Sequence, residues 1–75
     1  MTLNKHQIQG LPNFKYPCMT ASQFDSFMES AGYIRIGEAP GKGGRIKVWW
    51  VHESYPRVEA VYSSDRLTTI TAYHP

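Results

Sequence analysis

The chain has a single cysteine, Cys18, so no intramolecular disulfide can hold it together. That sets aside the stapled secreted scaffolds, whose small cores lean on several bridges. Nothing in it approaches the ~20 consecutive apolar residues that a membrane-spanning helix needs. The first seven residues, Met-Thr-Leu-Asn-Lys-His-Gln, carry no apolar run behind their charge. Neither a signal peptide nor a membrane partner is therefore expected, and a cytoplasmic location is. Metal-ligand spacing is missing too. His6, His52 and His74 lie far apart, and no CxxC, HxxxH or HExxH pattern occurs. No metal and no cofactor is expected from such a set. Excess charge is small: eight Lys and Arg against six Asp and Glu give a net +2 and a pI near 8.9. This mild basicity permits a nucleic-acid partner without demanding one.

What is present in quantity is aromatic. Phe, Trp and Tyr make up 13% of the 75 residues, and hydrophobic residues 41%. A disordered chain is poor in such residues, so a folded domain is expected. The length suits one domain, residues 1–75, and not two. A domain of this size buries only about 60% of the surface its unfolded chain exposes. Function is then expected on a face or in a shallow cleft.

Residues 1–19 form an N-terminal segment. Leu3, Ile8 and Leu11 suggest a short helix over 2–9, ended by Gly10 and Pro12. Pro12 and Pro17 make 11–18 an irregular connector in which Cys18 reads as a small packing residue. Residues 20–32 read as a capped helix. Thr20-Ala21-Ser22-Gln23 has capping-box spacing, and Met19 with Phe24 has the spacing of a hydrophobic staple. Ala21, Phe24, Phe27, Met28 and Ala31 then line one stripe, and Gly32 fits the C′ position.

Residues 33–75 change to a period of two. Strands are expected at Tyr33–Gly37, Arg45–His52, Arg57–Tyr62 and Leu67–Tyr73, with turns at 54–56 and 63–66. The stretch 37–44 reads as a loop rich in Gly and Pro. It falls short of a Walker A loop: its spacing is one residue too small, Gly43 stands where Ser or Thr is needed, and no helix follows. The expected fold class is α+β, an N-terminal helix or helices packed on a four-stranded antiparallel meander.

Alternation then sorts the side chains. Ile34, Ile36, Ile46, Val48, Trp50, Val58, Ala60, Tyr62, Ile70 and Ala72 form an apolar face for the helix. The opposite face receives Tyr33, Arg35, Arg45, Lys47, Trp49, Val51, Arg57, Glu59, Val61, Leu67, Thr69, Thr71 and Tyr73. Cations interleaved with rings suit RNA, the charges holding phosphates and the rings stacking on bases. Exposed Trp, Tyr and Arg equally suit a protein partner. They are also common on plainly solvated strands. The binding candidates are Arg35, Lys42, Arg45, Lys47, Trp49, Arg57 and Tyr73. His52, Glu53 and Glu59 are candidates for acid–base chemistry on RNA, and also read as solvated turn and strand residues.

The closing stretch from Tyr62 to Pro75 ends Thr71-Ala72-Tyr73-His74-Pro75. With helix followed by antiparallel strands, this Thr-x-Tyr ending resembles the small ribonuclease toxins of the barnase–EndoU–colicin–RelE group. The resemblance covers about a dozen residues. It implies a metal-independent endoribonuclease in which Thr71 binds the scissile phosphate, Tyr73 stands beside it, and His6, His52 or Arg57 handles protons or charge. Two functions thus stand side by side: a small interaction or inhibitor protein docking on a larger protein through the aromatic and basic face, and an RNA-cleaving or RNA-binding domain using the same face. A homodimer through an edge strand is a third possibility for its assembly.

Overall fold

The computed structural model describes residues 3–75, so Thr2, where the expected first helix begins, lies outside the described residues. A 3-10 turn at Leu3–Lys5 is followed by an irregular connector. Then come β1 (Met19–Thr20), α1 (Ala21–Ser30), β2 (Ile34–Pro40), β3 (Ile46–Val51), β4 (Val58–Tyr62) and β5 (Thr68–Tyr73). The sheet is antiparallel with strand order β1-β5-β4-β3-β2. The expected meander is therefore present, with a fifth strand added. Thr20 caps the helix as read, Met19 packs against the core that includes Phe24, and the two also pair with Thr68 and Thr69 of β5 respectively.

The helix starts and stops as its caps dictate. Thr20 is extended, and its hydroxyl accepts from the Gln23 amide at 3.2 Å. Gly32 carries φ +94, a left-handed conformation that a side chain would strain, and its amide donates to the Glu29 carbonyl. Ala21, Phe24 and Met28 face the sheet and are buried. Phe27 does not join them; it is 47% exposed. Phe24 is the centre of the core. Its ring meets Trp50 and Tyr62 edge-on at 6.3 and 6.1 Å.

Residues 2–9 do not form the expected helix among the described positions. The chain makes a single turn at Leu3–Lys5 and then runs on, yet Leu3 and Ile8 are fully buried in the same core as Phe24. Backbone bonds hold it there. Leu3 N–H donates to the Pro17 carbonyl at 2.8 Å, and the Tyr33 hydroxyl donates to the Gln9 carbonyl at 2.7 Å. Cys18 is exposed in the connector.

Two bulges change which side chains share a face. In β2 the register passes from Arg35 opposite Trp50 to Gly37 opposite Trp49, so Ile36 has no partner. This extra residue rotates the strand. Arg35 and Glu38 fall on the helix side, while Ile34 joins Val51 on the outer side. Ile34 and Ile36, expected in the core, are 66% and 57% exposed. β2 also continues to Pro40 through residues expected to be loop. In β5 the pairing moves from Thr71 opposite Val61 to Thr69 opposite Tyr62, leaving Ile70 over. Thr69 thereby takes the core place that plain alternation gives Ile70. Tyr33, expected on the open face, lies just ahead of β2 and is buried.

The second bulge has a cost. Thr69 Oγ1 is buried with no hydrogen-bond partner among the described residues. A buried hydroxyl without a partner loses its water without compensation. Valine has nearly the shape of threonine and no hydroxyl. Thr69→Val should therefore raise stability by about 1 kcal/mol, which for a domain of this length moves Tm up by about 4–8 °C. A thermal melt by circular dichroism reads it; an unchanged or lower Tm would show that the hydroxyl is satisfied in solution.

Candidate functional site

α1 packs on one side of the sheet, with Leu3 and Ile8 buried in the same core, and the other side is made of strand side chains with His6 of the N-terminal segment beside Tyr73. That outer side is built in two rows by the strand register. One row runs Gly37, Trp49, Glu59, Tyr73; the next runs Ala39, Lys47, Val61, Thr71. Glu59 sits at the centre. Its Oε1 accepts from the Trp49 indole N–H at 3.0 Å, and its Oε2 accepts from the Tyr73 hydroxyl. Lys47 Nζ stands 3.9 Å from the same carboxylate. The carboxylate is largely covered, its side chain only 13% exposed, whereas the lysine reaches water.

The electrostatics follow from these contacts. The Tyr73 bond is the largest influence on Glu59 and holds its carboxyl below the ordinary carboxylate value. Partial burial works against this, and Trp49, Lys47 and Arg57 add to the lowering. The same bond, with some burial, raises the Tyr73 phenol. Two aromatic rings from different strands are thus tied to one ionised acceptor. A Lys–Glu pair this open contributes little by itself. Charge-assisted bonds from two donors fix more, because they hold both rings in single orientations.

The sequence-derived site residues divide between places. Lys47, Trp49, Glu59 and Tyr73 come together, with Arg57 near enough to act on Glu59. Arg35 leaves this group because of the β2 bulge and pairs with Glu38 at 3.5 Å. Lys42 and Arg45 belong to the β2–β3 connection, where Gly41 N–H donates to the Arg45 carbonyl at 2.6 Å. Thr71 is on the outer side, but it is fully buried. Its side chain is therefore not offered to a phosphate in the way the Thr-x-Tyr resemblance implies.

His52 is not beside Thr71 and Tyr73. Its Nδ1 accepts the Ser54 amide at 2.9 Å, which leaves Nε2 as the donor to the Ala31 carbonyl, also at 2.9 Å. Its ring lies against Tyr33 and Tyr55, with centroids 4.9 and 4.5 Å away. Both nitrogens serve the backbone, one of them capping the end of α1. His74 is committed in a similar way: Nε2 accepts from the Gln9 amide at 3.0 Å while Nδ1 faces the Pro56 and Arg57 carbonyls. His6 differs, standing with its ring 5.7 Å from Tyr73.

Alternation alone placed the outer row but gave no sign that Glu59 organises it. A carboxylate directly across from Trp on one strand and Tyr on another is the signal, and it needs the register to be visible. A second surface feature went unread. Leu11, Phe14, Tyr16, Met19 and Phe27 line a groove of about 310 Å³ between the connector and α1. Among the described residues no three of His, Cys, Asp and Glu cluster as metal ligands, and no helix is long and apolar enough to cross a membrane. No protein-family model matches the chain, and no curated protein or solved structure matches it.

The direction of the Glu59 shift fixes a pH dependence. A carboxyl whose folded value is depressed adds stability that is complete above its ordinary value, 4.5 here, and is lost as pH falls toward the folded value. Carbon NMR of the Glu59 carboxyl should give a midpoint below 4.5. Tyr73→Phe removes the largest cause and should move that midpoint upward. A midpoint unaffected by Tyr73→Phe would place the tyrosine hydroxyl elsewhere.

Proposed function

We propose that the chain is a small interaction domain that docks on a larger protein through the outer sheet face of Lys47, Trp49, Arg57, Glu59 and Tyr73. The observation that supports this most is the shared carboxylate: Glu59 accepts from both Trp49 and Tyr73. Rings fixed before binding lose little side-chain freedom when they meet a partner, which is how aromatic residues come to dominate interfaces. The cations lie around the rings and supply a polar rim.

The same rings and cations also suit single-stranded RNA, and the location of His6 beside Tyr73 keeps a proton-transfer group near them. The central position of Glu59 argues for protein over RNA. An ionised carboxylate between the two rings repels phosphate where an RNA backbone or base edge would approach. The cleavage reading also loses His52, whose nitrogens are engaged by backbone groups on the helix side.

The test separates these outcomes. The protein is immobilised and exposed to lysate, a captured partner is identified and purified, and its affinity is measured by calorimetry. Trp49→Ala and Tyr73→Ala should each weaken that binding by about 2 kcal/mol or more, with the fold intact by circular dichroism. Near-wild-type affinity in both would move the interface off this face. Labelled RNA is run alongside; salt-sensitive retention of RNA that Trp49→Ala abolishes would replace the protein reading by the nucleic-acid one.

A further inference from the structure

The two edges of the sheet are treated differently. At one end the terminal strand, β1, has two residues, and the turn at Leu3–Lys5 lies against β5 beside it. At the other end β2 has seven residues, and no described segment pairs with its outer edge. Its side chains Ile34 and Ile36 are 66% and 57% exposed. A long open edge with apolar side chains invites another strand, and monomeric proteins usually blunt such an edge, often with lysine. β2 has no lysine; its edge carries the bulge at Ile36, Pro40 at its far end, and one charge of each sign, Arg35 and Glu38.

Those two charges are spaced to match their own copy. We propose that two copies of the chain pair antiparallel through β2, about a two-fold axis between Ile36 and Gly37, to form one continuous sheet. In this register Arg35 of each copy faces Glu38 of the other, so two opposite-charge pairs form across the seam. Ile34 faces Ala39, and Ile36 faces Gly37. The space above Gly37 is open, since a Cβ built there meets nothing within 4 Å. The isoleucine of one copy can lie over the glycine of the other.

The bulge is what makes this register work. In two identical regular strands related by a two-fold axis normal to the sheet, facing residues must have the same parity, or one would point up and the other down. Arg35 and Glu38 differ in parity. The extra residue at Ile36 brings them to one side of the sheet, opposite Trp50 and Val48, and brings Ile34 and Ala39 to the other, opposite Val51 and Lys47. Shifting the axis by half a residue in either direction sets helix-side residues against outer-side ones. Within one chain Glu38 also bonds Arg66 at 2.5 Å and Arg35 at 3.5 Å, both at exposed positions. Both pairs are open to water, and the Arg35 contact can be exchanged across the seam at small cost. The two-fold axis also puts both outer faces on the same side of the joined sheet, so a partner docking there meets two sites at once.

Sedimentation equilibrium of the full-length protein tests the proposal. Wild type should be a dimer whose dissociation is resolved by dilution. Arg35→Glu and Glu38→Arg each set like charges opposite one another twice, and each should weaken the dimer by about tenfold or more. Mixing the two variants restores opposite charges at both crossings, so an equimolar mixture should recover dimer. Damage to the fold of either variant cannot produce that recovery. A wild type that stays monomeric up to millimolar concentration overturns the proposal, as do single variants that still dimerise like wild type, or a mixture no more associated than its components.

Discussion

A ten-residue helix cannot cover a five-stranded sheet, and the rest of this structure depends on that mismatch of size. At 1.5 Å per residue α1 is about 15 Å long. Five strands about 4.8 Å apart span about 19 Å between the axes of the outermost pair, with a strand length of similar size across it. The chain meets the shortfall with its first residues. Leu3 and Ile8 supply two fully buried side chains beside Phe24 and Met28 without forming a helix of their own. The backbone of this stretch then needs partners, which Pro17 provides at Leu3 and His74 and Tyr33 provide at Gln9. The histidine and tyrosine that look available in the sequence are thus taken up in holding the lid of the core in place.

The same shortage explains what stays uncovered. β2 is an edge strand, and Arg35 and Glu38 keep their side chains open to water there, so the bulge that puts them on the helix side costs little. In β5 a bulge has a different result, because that strand lies under α1 and any residue it turns inward is sealed. Thr69 is the residue turned in, and its hydroxyl is left without a partner. Identical irregularities therefore give an open charged edge at one side of the sheet and a buried polar atom near the other.

These bulges also mark the boundary of what the sequence makes legible. Local rules carried far: Thr20 with Gln23 placed the start of α1, Gly32 placed its end, and the period-two stretches found the last four strands in order. Those signals depend on neighbours a few residues apart. A bulge is decided by how two strands twist over a core, and nothing in Ile-Arg-Ile-Gly or Thr-Thr-Ile-Thr announces it. One inserted residue opposes the parity on its two sides, and in both strands it is the residues at and before the bulge that change face, which is why plain alternation puts Ile34, Ile36 and Ile70 in the core and Arg35 on the outer face. β1 was illegible for another reason, since two residues carry no period. Tyr33 was misplaced because it precedes the strand whose alternation it was assigned to.

The site was legible in composition and illegible in organisation. Lys47, Trp49, Arg57 and Tyr73 were chosen by charge and ring count, and the register does bring Lys47, Trp49 and Tyr73 to one side. What ties the two rings together is Glu59, whose one carboxylate orients a ring from each neighbouring strand. A basic face with no acid at its centre would be flexible and open to any polyanion. With the acid, the rings are fixed and the potential alternates in sign over a few ångströms. A protein surface can meet such a pattern with its own mixed donors, acceptors and apolar groups, whereas a phosphate backbone presents one sign throughout. On the proposed docking reading, the carboxylate that orders the face therefore also narrows what can bind it.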